Sequence, residues 1–149
     1  MSAAHRFGAG TVTALVATLT ACGLTACQPE TSGPDVGVSV REIQKGREGD
    51  SDQFYAGRRV TVSADINRIL GPHAFSIAGK SGVEPLLVVH SANLGNLNED
   101  SPVKVTGTVR SGFDRASVER ALEFDFDRDV FSDYSGAPYI VAEHVEKSL

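Results

Sequence analysis

Cysteine is nearly absent from this chain of 149 residues, and none follows position 27. The residues beyond that position therefore have no disulfide to stabilise them and no thiol to serve as a catalytic nucleophile. The Gly-x-Ser-x-Gly elbow that presents the serine of α/β-hydrolases is also missing. We therefore expect the protein not to be an enzyme, and no residue pattern implies a cofactor.

Positive charge is in short supply as well, with 14 Lys and Arg against 19 Asp and Glu and a net charge of −5. Proteins that bind single-stranded nucleic acids combine a basic groove with stacking aromatic side chains. The basic residues here are scattered instead: Arg58, Arg59, Arg68, Lys80, Lys104 and Arg110. Because phosphate backbones repel an acidic domain, we expect no nucleic-acid partner.

The first 27 residues have the pattern of an export signal. Arg6 provides a firm positive charge, a run rich in Ala, Val, Leu and Thr follows it, and small residues precede Cys27. This is the order of regions in a secretory signal peptide. The run also contains several Thr and three Gly, which make it a poor helix for spanning a membrane permanently.

Two tetrapeptides in this segment resemble the lipobox of bacterial lipoproteins. They are Leu24-Thr25-Ala26-Cys27 and Leu19-Thr20-Ala21-Cys22. In that family the cysteine receives a diacylglyceryl group and becomes the mature N-terminus, and two acyl chains give a stable anchor. We prefer Cys27 as the lipid attachment site, because polar residues follow it at once, and we keep Cys22 as the alternative.

The lipobox resemblance divides the chain into three parts. It implies a signal peptide over residues 1–26, a tether over residues 27–37 and a folded domain over residues 38–149. The tether is rich in Pro, Gly and polar residues, a composition typical of spacers. We expect the protein to be lipid-anchored on the extracytoplasmic face of the cell membrane.

Alternating apolar residues predict short strands throughout the folded domain. Val60, Val62, Ala64 and Ile66 are the clearest example, since a period of two puts all four on one face of a strand. Further strands are predicted near residues 36–40, 75–77, 86–89, 103–109 and 139–145. We expect one core to contain Val62, Ile66, Val88, Val105 and Val141.

Two local signals add detail to this pattern. Gly107 lies on the inward face of its predicted strand, which predicts a bulge or a sharp bend there. Asp114 is placed to cap a short helix that begins at Arg115 and presents Val118 on its apolar face. Short, evenly spaced strands with one helix predict a small closed barrel.

The ordered segments 59–66, 71–77, 85–89, 103–109 and 139–143 resemble the small OB-fold-like lipoproteins of actinobacteria. That family has no agreed activity, so the resemblance implies a fold and no functional residues. It implies a mainly β protein with a small OB-like barrel of five to six strands and one short helix. In the usual OB fold the helix lies between strands three and four, whereas here the predicted helix follows the fourth strand.

An acidic run provides candidate metal ligands, since Asp125, Asp127 and Asp129 alternate along the chain. Calcium needs several hard oxygens close together. A calcium loop of the EF-hand type would need Gly and Glu where Val130 and Gly136 stand. The interleaved phenylalanines, Phe124, Phe126 and Phe131, look like core anchors, so we regard these three carboxylates as weak candidates.

The remaining histidines, His73, His90 and His144, lack the short spacing of a zinc motif. We expect them to be ordinary surface residues. The leading functional hypothesis is a non-enzymatic, membrane-anchored module that binds an unknown envelope protein or small ligand. The alternative is a calcium- or metal-binding envelope module that uses the Asp125, Asp127 and Asp129 run.

Overall fold

The computed structural model describes residues 34–45, 55–79 and 81–148, which belong to one compact unit. The predictions for the signal peptide and for Cys22 and Cys27 lie outside these residues. Within the described ranges, no helix is long and apolar enough to cross a membrane.

Strands dominate the described part of the chain. They are β1 (Asp35–Val36), β2 (Arg59–Gly71), β3 (Ala74–Ile77), β4 (Leu86–His90), β5 (Pro102–Arg110) and β6 (Tyr139–Lys147). The helices are short: α1 (Val40–Gln44), α2 (Arg115–Leu122) and α3 (Arg128–Phe131), which continues into a 3-10 turn at Ser132–Tyr134.

Five of the strands close into a barrel. Following the sheet around, β2 pairs with β3, β3 with β4, β4 with β6, β6 with β5, and β5 pairs again with β2. The β4–β6 pair is parallel and the other four are antiparallel. This five-stranded barrel confirms the predicted mainly β, OB-like fold. The extra strand β1 runs parallel to the start of β2.

The barrel interior is the main hydrophobic core. Val62, Ile66, Val88 and Val105 are fully buried in it, as predicted from their alternation. Val141 was wrongly assigned to this core. In β6 the neighbouring Ile140 and Ala142 face the interior, so Val141 points outward and packs in a second cluster.

The irregularity predicted at Gly107 is present in the structure. The pairing of β5 with β6 shifts register between Thr106 and Gly107, which is a β-bulge. A Cβ added at Gly107 would lie 2.7 Å from the Cα of Ala142 and closer still to the carbonyl oxygen of Val141. The close approach of two backbones therefore requires glycine at this corner of the barrel.

The helices confirm one prediction and correct another. Helix α2 begins at Arg115, and the Asp114 side chain accepts from the Ser117 N–H at 3.1 Å, as expected of its N-cap. The prediction of a single helix was wrong, because α1 replaces most of the strand expected near residues 36–40. Ser39 and Glu42 form a capping box that starts α1. Strand β1 lies within the segment assigned to the tether.

Candidate functional site

One outer face of the barrel is covered by the chain itself. The residues between β5 and β6, 111–138, carry α2 and α3 and are called the cover segment here. Its side chains pack on the outer face of β3 and β4 in a second apolar cluster. The buried members of that cluster are Ala74, Leu87, Val89, Phe113, Val118 and Phe131.

A ring stack joins the cover segment to the loop between β3 and the preceding strand. His73 and Phe124 lie face to face, with ring centroids 3.6 Å apart and an interplanar angle of 8°. OB barrels commonly bind ligands on the face of their second and third strands, between the loops that follow strands one and four. In this protein those strands are β3 and β4, and the chain's own cover segment occupies their face.

The cover segment is held by polar bonds as well as by aromatic packing. Phe113 meets the Tyr139 ring edge to face at 5.3 Å. The Glu119 carboxylate accepts from the Phe126 N–H at 2.9 Å and from the guanidinium of Arg115. Burial raises the pKa of Tyr139, and hydrogen bonds from Ser117 lower the pKa of Asp114. Both shifts have local structural causes, namely hydrogen bonding at Asp114 and burial at Tyr139.

A groove of about 500 Å³ lies away from the cover segment, between α1 and β2. Three short stretches line it: residues 39–41 at the start of α1, residues 63–65 of β2 and residues 78–79 after β3. Gly79 is tightly packed, because a Cβ there would lie 2.5 Å from the Cβ of Val83. The site is therefore positioned by α1, by the barrel wall and by the chain that follows β3.

Among the residues that the structure describes, the wall of this groove is a stretch of strand edge with no partner strand. On this side of β2, pairing with β1 ends at Thr61 and pairing with β3 begins at Ile66. Ser63 lies in the middle of the gap and is exposed. Peptide groups at a strand edge are ready to pair with another strand.

Opposite charges flank the open edge. Arg41 and Asp65 both line the groove and are exposed, and within the described residues neither side chain makes an ion pair. The nearby Glu42 is different, because it accepts from the Ser39 hydroxyl at 2.7 Å and from the Ser39 N–H at 2.8 Å. These hydrogen bonds lower the pKa of Glu42 and commit its carboxylate to the capping box. Among its described lining residues, the groove thus presents one cation and one anion to a ligand.

A smaller depression of about 260 Å³ lies beside the groove. Its lining includes Asp35 and Arg58, which form an ion pair of 2.7 Å, and Arg58 also lies 5.6 Å from the centre of the Tyr55 ring. Its charged groups are satisfied internally, so it is a weaker candidate than the groove.

The acidic run is not gathered into a metal site. The Asp127 carboxylate accepts from the Asp129 N–H at 3.0 Å and serves as the N-cap of α3. Asp125 and Asp129 are exposed beside it. Among the residues that the structure describes, no three His, Cys, Asp or Glu side chains are grouped to hold a metal ion.

The three histidines are found in two places. His73 and His90 both approach the carbonyl oxygen of Ala92 at 3.2 Å. The Ala92 N–H also donates to Nδ1 of His90 at 2.9 Å, so that nitrogen is engaged in ordering the loop. His144 is elsewhere and contacts Glu146 at 2.9 Å.

The sequence matches no protein-family model and no curated protein. Solved structures do match. One is a putative aspartyl-tRNA synthetase from Leishmania major Friedlin, with 11% identity, a TM-score of 0.46 and coverage of 79% of this chain and 22% of that one. Another is asparaginyl-tRNA synthetase from Pyrococcus horikoshii, with 17% identity, a TM-score of 0.35 and coverage of 63% and 20%. This chain spans about a fifth of those structures, and the likeness concerns the fold alone.

The groove was not predicted from the sequence, because residues 36–40 were interpreted as a strand. The available signal was Ser39 followed three residues later by Glu42, which is the spacing of a capping box. Recognising it would have predicted a helix that starts at Ser39, although not its position beside β2.

Proposed function

We propose that the protein is a non-enzymatic binding module, anchored by lipid at Cys27 on the extracytoplasmic face of the cell membrane. Its binding site is the groove between α1 and β2. The OB-like barrel is a fold widely used for binding. The observation that supports the site most directly is an open strand edge flanked by the exposed charges of Arg41 and Asp65.

The absence of a nucleic-acid partner is part of the proposal. The face of β3 and β4, where OB barrels often bind oligonucleotides, is covered by residues 111–138. Phe75, an aromatic residue of β3, is fully buried in the interior and offers no ring for base stacking. The net charge of −5 opposes phosphate binding as well.

The anchor is tested by expressing the wild-type chain in bacteria and comparing it with Cys27→Ser, Cys22→Ser and the double variant. The wild type should enter the detergent phase, and mass spectrometry should find diacylglyceryl on Cys27. Cys27→Ser should release the protein unless Cys22 accepts the lipid, and the double variant resolves that case. A double variant that partitions into detergent like the wild type would refute the lipid anchor.

A further inference from the structure

We infer that the groove binds a short extended peptide, which adds to the open edge of β2 as a further strand. This inference rests on the proposed function, in which the groove is the binding site. It goes further by naming the chemical class of ligand and the main-chain groups that recognise it.

The orientation of the β2 backbone is the first argument. In an antiparallel ladder, alternate residues direct both peptide groups to one neighbour. The Val109 N–H donates to the Arg58 carbonyl at 2.9 Å, and the Ile66 N–H donates to the Ser101 carbonyl at 2.9 Å. The N–H and C=O groups of the even-numbered residues of β2, up to Ile66, therefore point towards β5 and the chain leading into it. The N–H and C=O groups of the odd-numbered residues point the other way, as the 2.8 Å bond from the Ala78 N–H to the Asp65 carbonyl shows.

This alternation determines the direction of the Ser63 peptide groups. Its N–H and its carbonyl both point away from β5, into the interval where neither β1 nor β3 pairs with β2. Strand β1 would continue alongside Ser63, but Gly37 has a φ of 81° and turns the chain away towards α1. Within the described ranges no other strand takes its place, so the edge can accept another strand.

The dimensions of the gap suit a short peptide. The interval runs from Thr61 to Asp65, whose carbonyl already accepts from the Ala78 N–H, and covers four residue steps, or roughly 13 Å at the rise of a strand. A peptide of about five residues matches that length. Small residues line much of the groove, namely Ser39, Ala64, Ala78 and Gly79.

Charge complementarity defines the peptide further. Residues two apart in a strand lie on one face, about 7 Å from each other. A peptide with one acidic and one basic side chain at such positions would present both on a single face, to pair with Arg41 and Asp65 in the groove lining. Main-chain pairing would supply the binding energy, and the two charges would set the orientation.

The probes are two synthetic pentapeptides, Ac-Val-Glu-Val-Lys-Val-NH2 and its reverse in charge order, Ac-Val-Lys-Val-Glu-Val-NH2. They are titrated into the purified full chain in detergent micelles. Amide NMR and calorimetry follow the binding. We expect one of the two to bind more tightly, to shift the Ser63 amide and to slow its hydrogen exchange. Failure of both peptides to perturb Ser63 at millimolar concentration would overturn the inference.

N-methylation separates strand pairing from side-chain contact. Methyl groups are placed on the amides of residues two and four in one derivative, and of residues one, three and five in another. The amides of one set point towards β2, and their methylation should weaken binding about tenfold or more. The amides of the other set point towards solvent, and their methylation should change binding little. Equal effects of the two sets would contradict pairing with the strand.

A matched pair of protein variants provides the second control. Ser63→Pro removes the N–H that faces the groove without removing a bond to β5, and Ser63→Ala keeps that N–H. We expect Ser63→Ala to bind like the wild type and Ser63→Pro to lose binding, provided that its circular dichroism melt shows a folded barrel. If Ser63→Pro does not fold, the N-methylated peptides decide the question.

A small zwitterion is the competing ligand. Glycerophosphoethanolamine carries both charges and no strand-forming main chain. If it shifts the groove residues as strongly as the better pentapeptide, the ligand class proposed here is wrong. The result is independent of the anchor, because peptide binding is measured on purified protein and lipidation is measured by fractionation and mass.

Discussion

The replacement of Gly107 by Ala gives a sharp test of the barrel. Gly107 is buried at the bulge where β5 crosses close to β6. The added methyl group would lie 2.7 Å from the Cα of Ala142 and 2.8 Å from Cγ2 of Ile140, and closer than either to the Val141 carbonyl oxygen. Two of these three atoms belong to the backbone of β6, so a rotamer change cannot remove the overlap.

Relief of this overlap requires β6 to move away from β5. Overpacking of this kind typically costs about 1–3 kcal/mol. For a domain of this size, each kcal/mol lowers the melting temperature by roughly 3–5 °C, so we expect a fall of about 3–15 °C in a circular dichroism melt. Chemical denaturation should give a lower midpoint with an unchanged slope.

Gly71→Ala is the matched control, since Gly71 also lies in a strand. No atom lies within 4 Å of the position of its added Cβ, and its φ is not in the positive range. Replacing such a glycine reduces the entropy of the unfolded chain and is neutral or stabilising by about 0.4–1 kcal/mol. If Gly107→Ala melts like Gly71→Ala, the close approach of β5 and β6 is wrong.

Three further predictions concern the core, the acidic run and the cap of α2. Val105→Asp should unfold the protein, because it buries an unpaired charge in the barrel. Val36→Asp, at a residue 80% exposed, should leave the melt nearly unchanged. Folding of both variants would refute the strand register. Millimolar calcium should not raise the melting temperature, and a rise that the triple Asp→Asn variant of the acidic run abolishes would establish calcium binding at Asp125, Asp127 and Asp129. Because the pKa of Asp114 is lowered, its cap stabilises the fold above the ordinary carboxyl pKa of about 3.9, and this stabilisation is lost as the pH falls through the folded-state pKa. The side-chain hydrogen bond from Ser117 is the main cause of the lowered pKa, so the NMR titration of Asp114 should move to higher pH in Ser117→Ala.

Strands and their inward faces were largely predictable because burial leaves a period of two in the sequence. Val62, Ile66 and Val105 show this, since each alternates with polar residues and each is fully buried. The prediction that Val141 belongs to the barrel core was wrong for a physical reason. Both faces of β6 are covered near its start, so its apolar residues do not alternate, and the inward set cannot be recognised from periodicity.

The candidate site was harder to predict because it depends on what is missing beside a strand. A gap in pairing has no composition of its own, and Ser63 resembles the other polar residues of β2. The gap arises where Gly37 turns the chain and Ser39 starts a helix. Both are local signals, but their consequence for β2 emerges only when the strands are placed in register.

The cover segment and the groove together explain why binding at a strand edge suits this barrel. Closing a sheet removes its edges, and an OB barrel then usually presents a face to its ligands. Here apolar side chains such as Phe113 and Phe131 cover that face and form a second buried cluster. In the binding mode that we propose, recognition would shift to main-chain groups near Ser63, which can pair with an extended peptide regardless of its sequence. Selectivity then depends on Arg41 and Asp65, and exchanging the two charges by Arg41→Asp and Asp65→Arg should reverse the preference between the two pentapeptides.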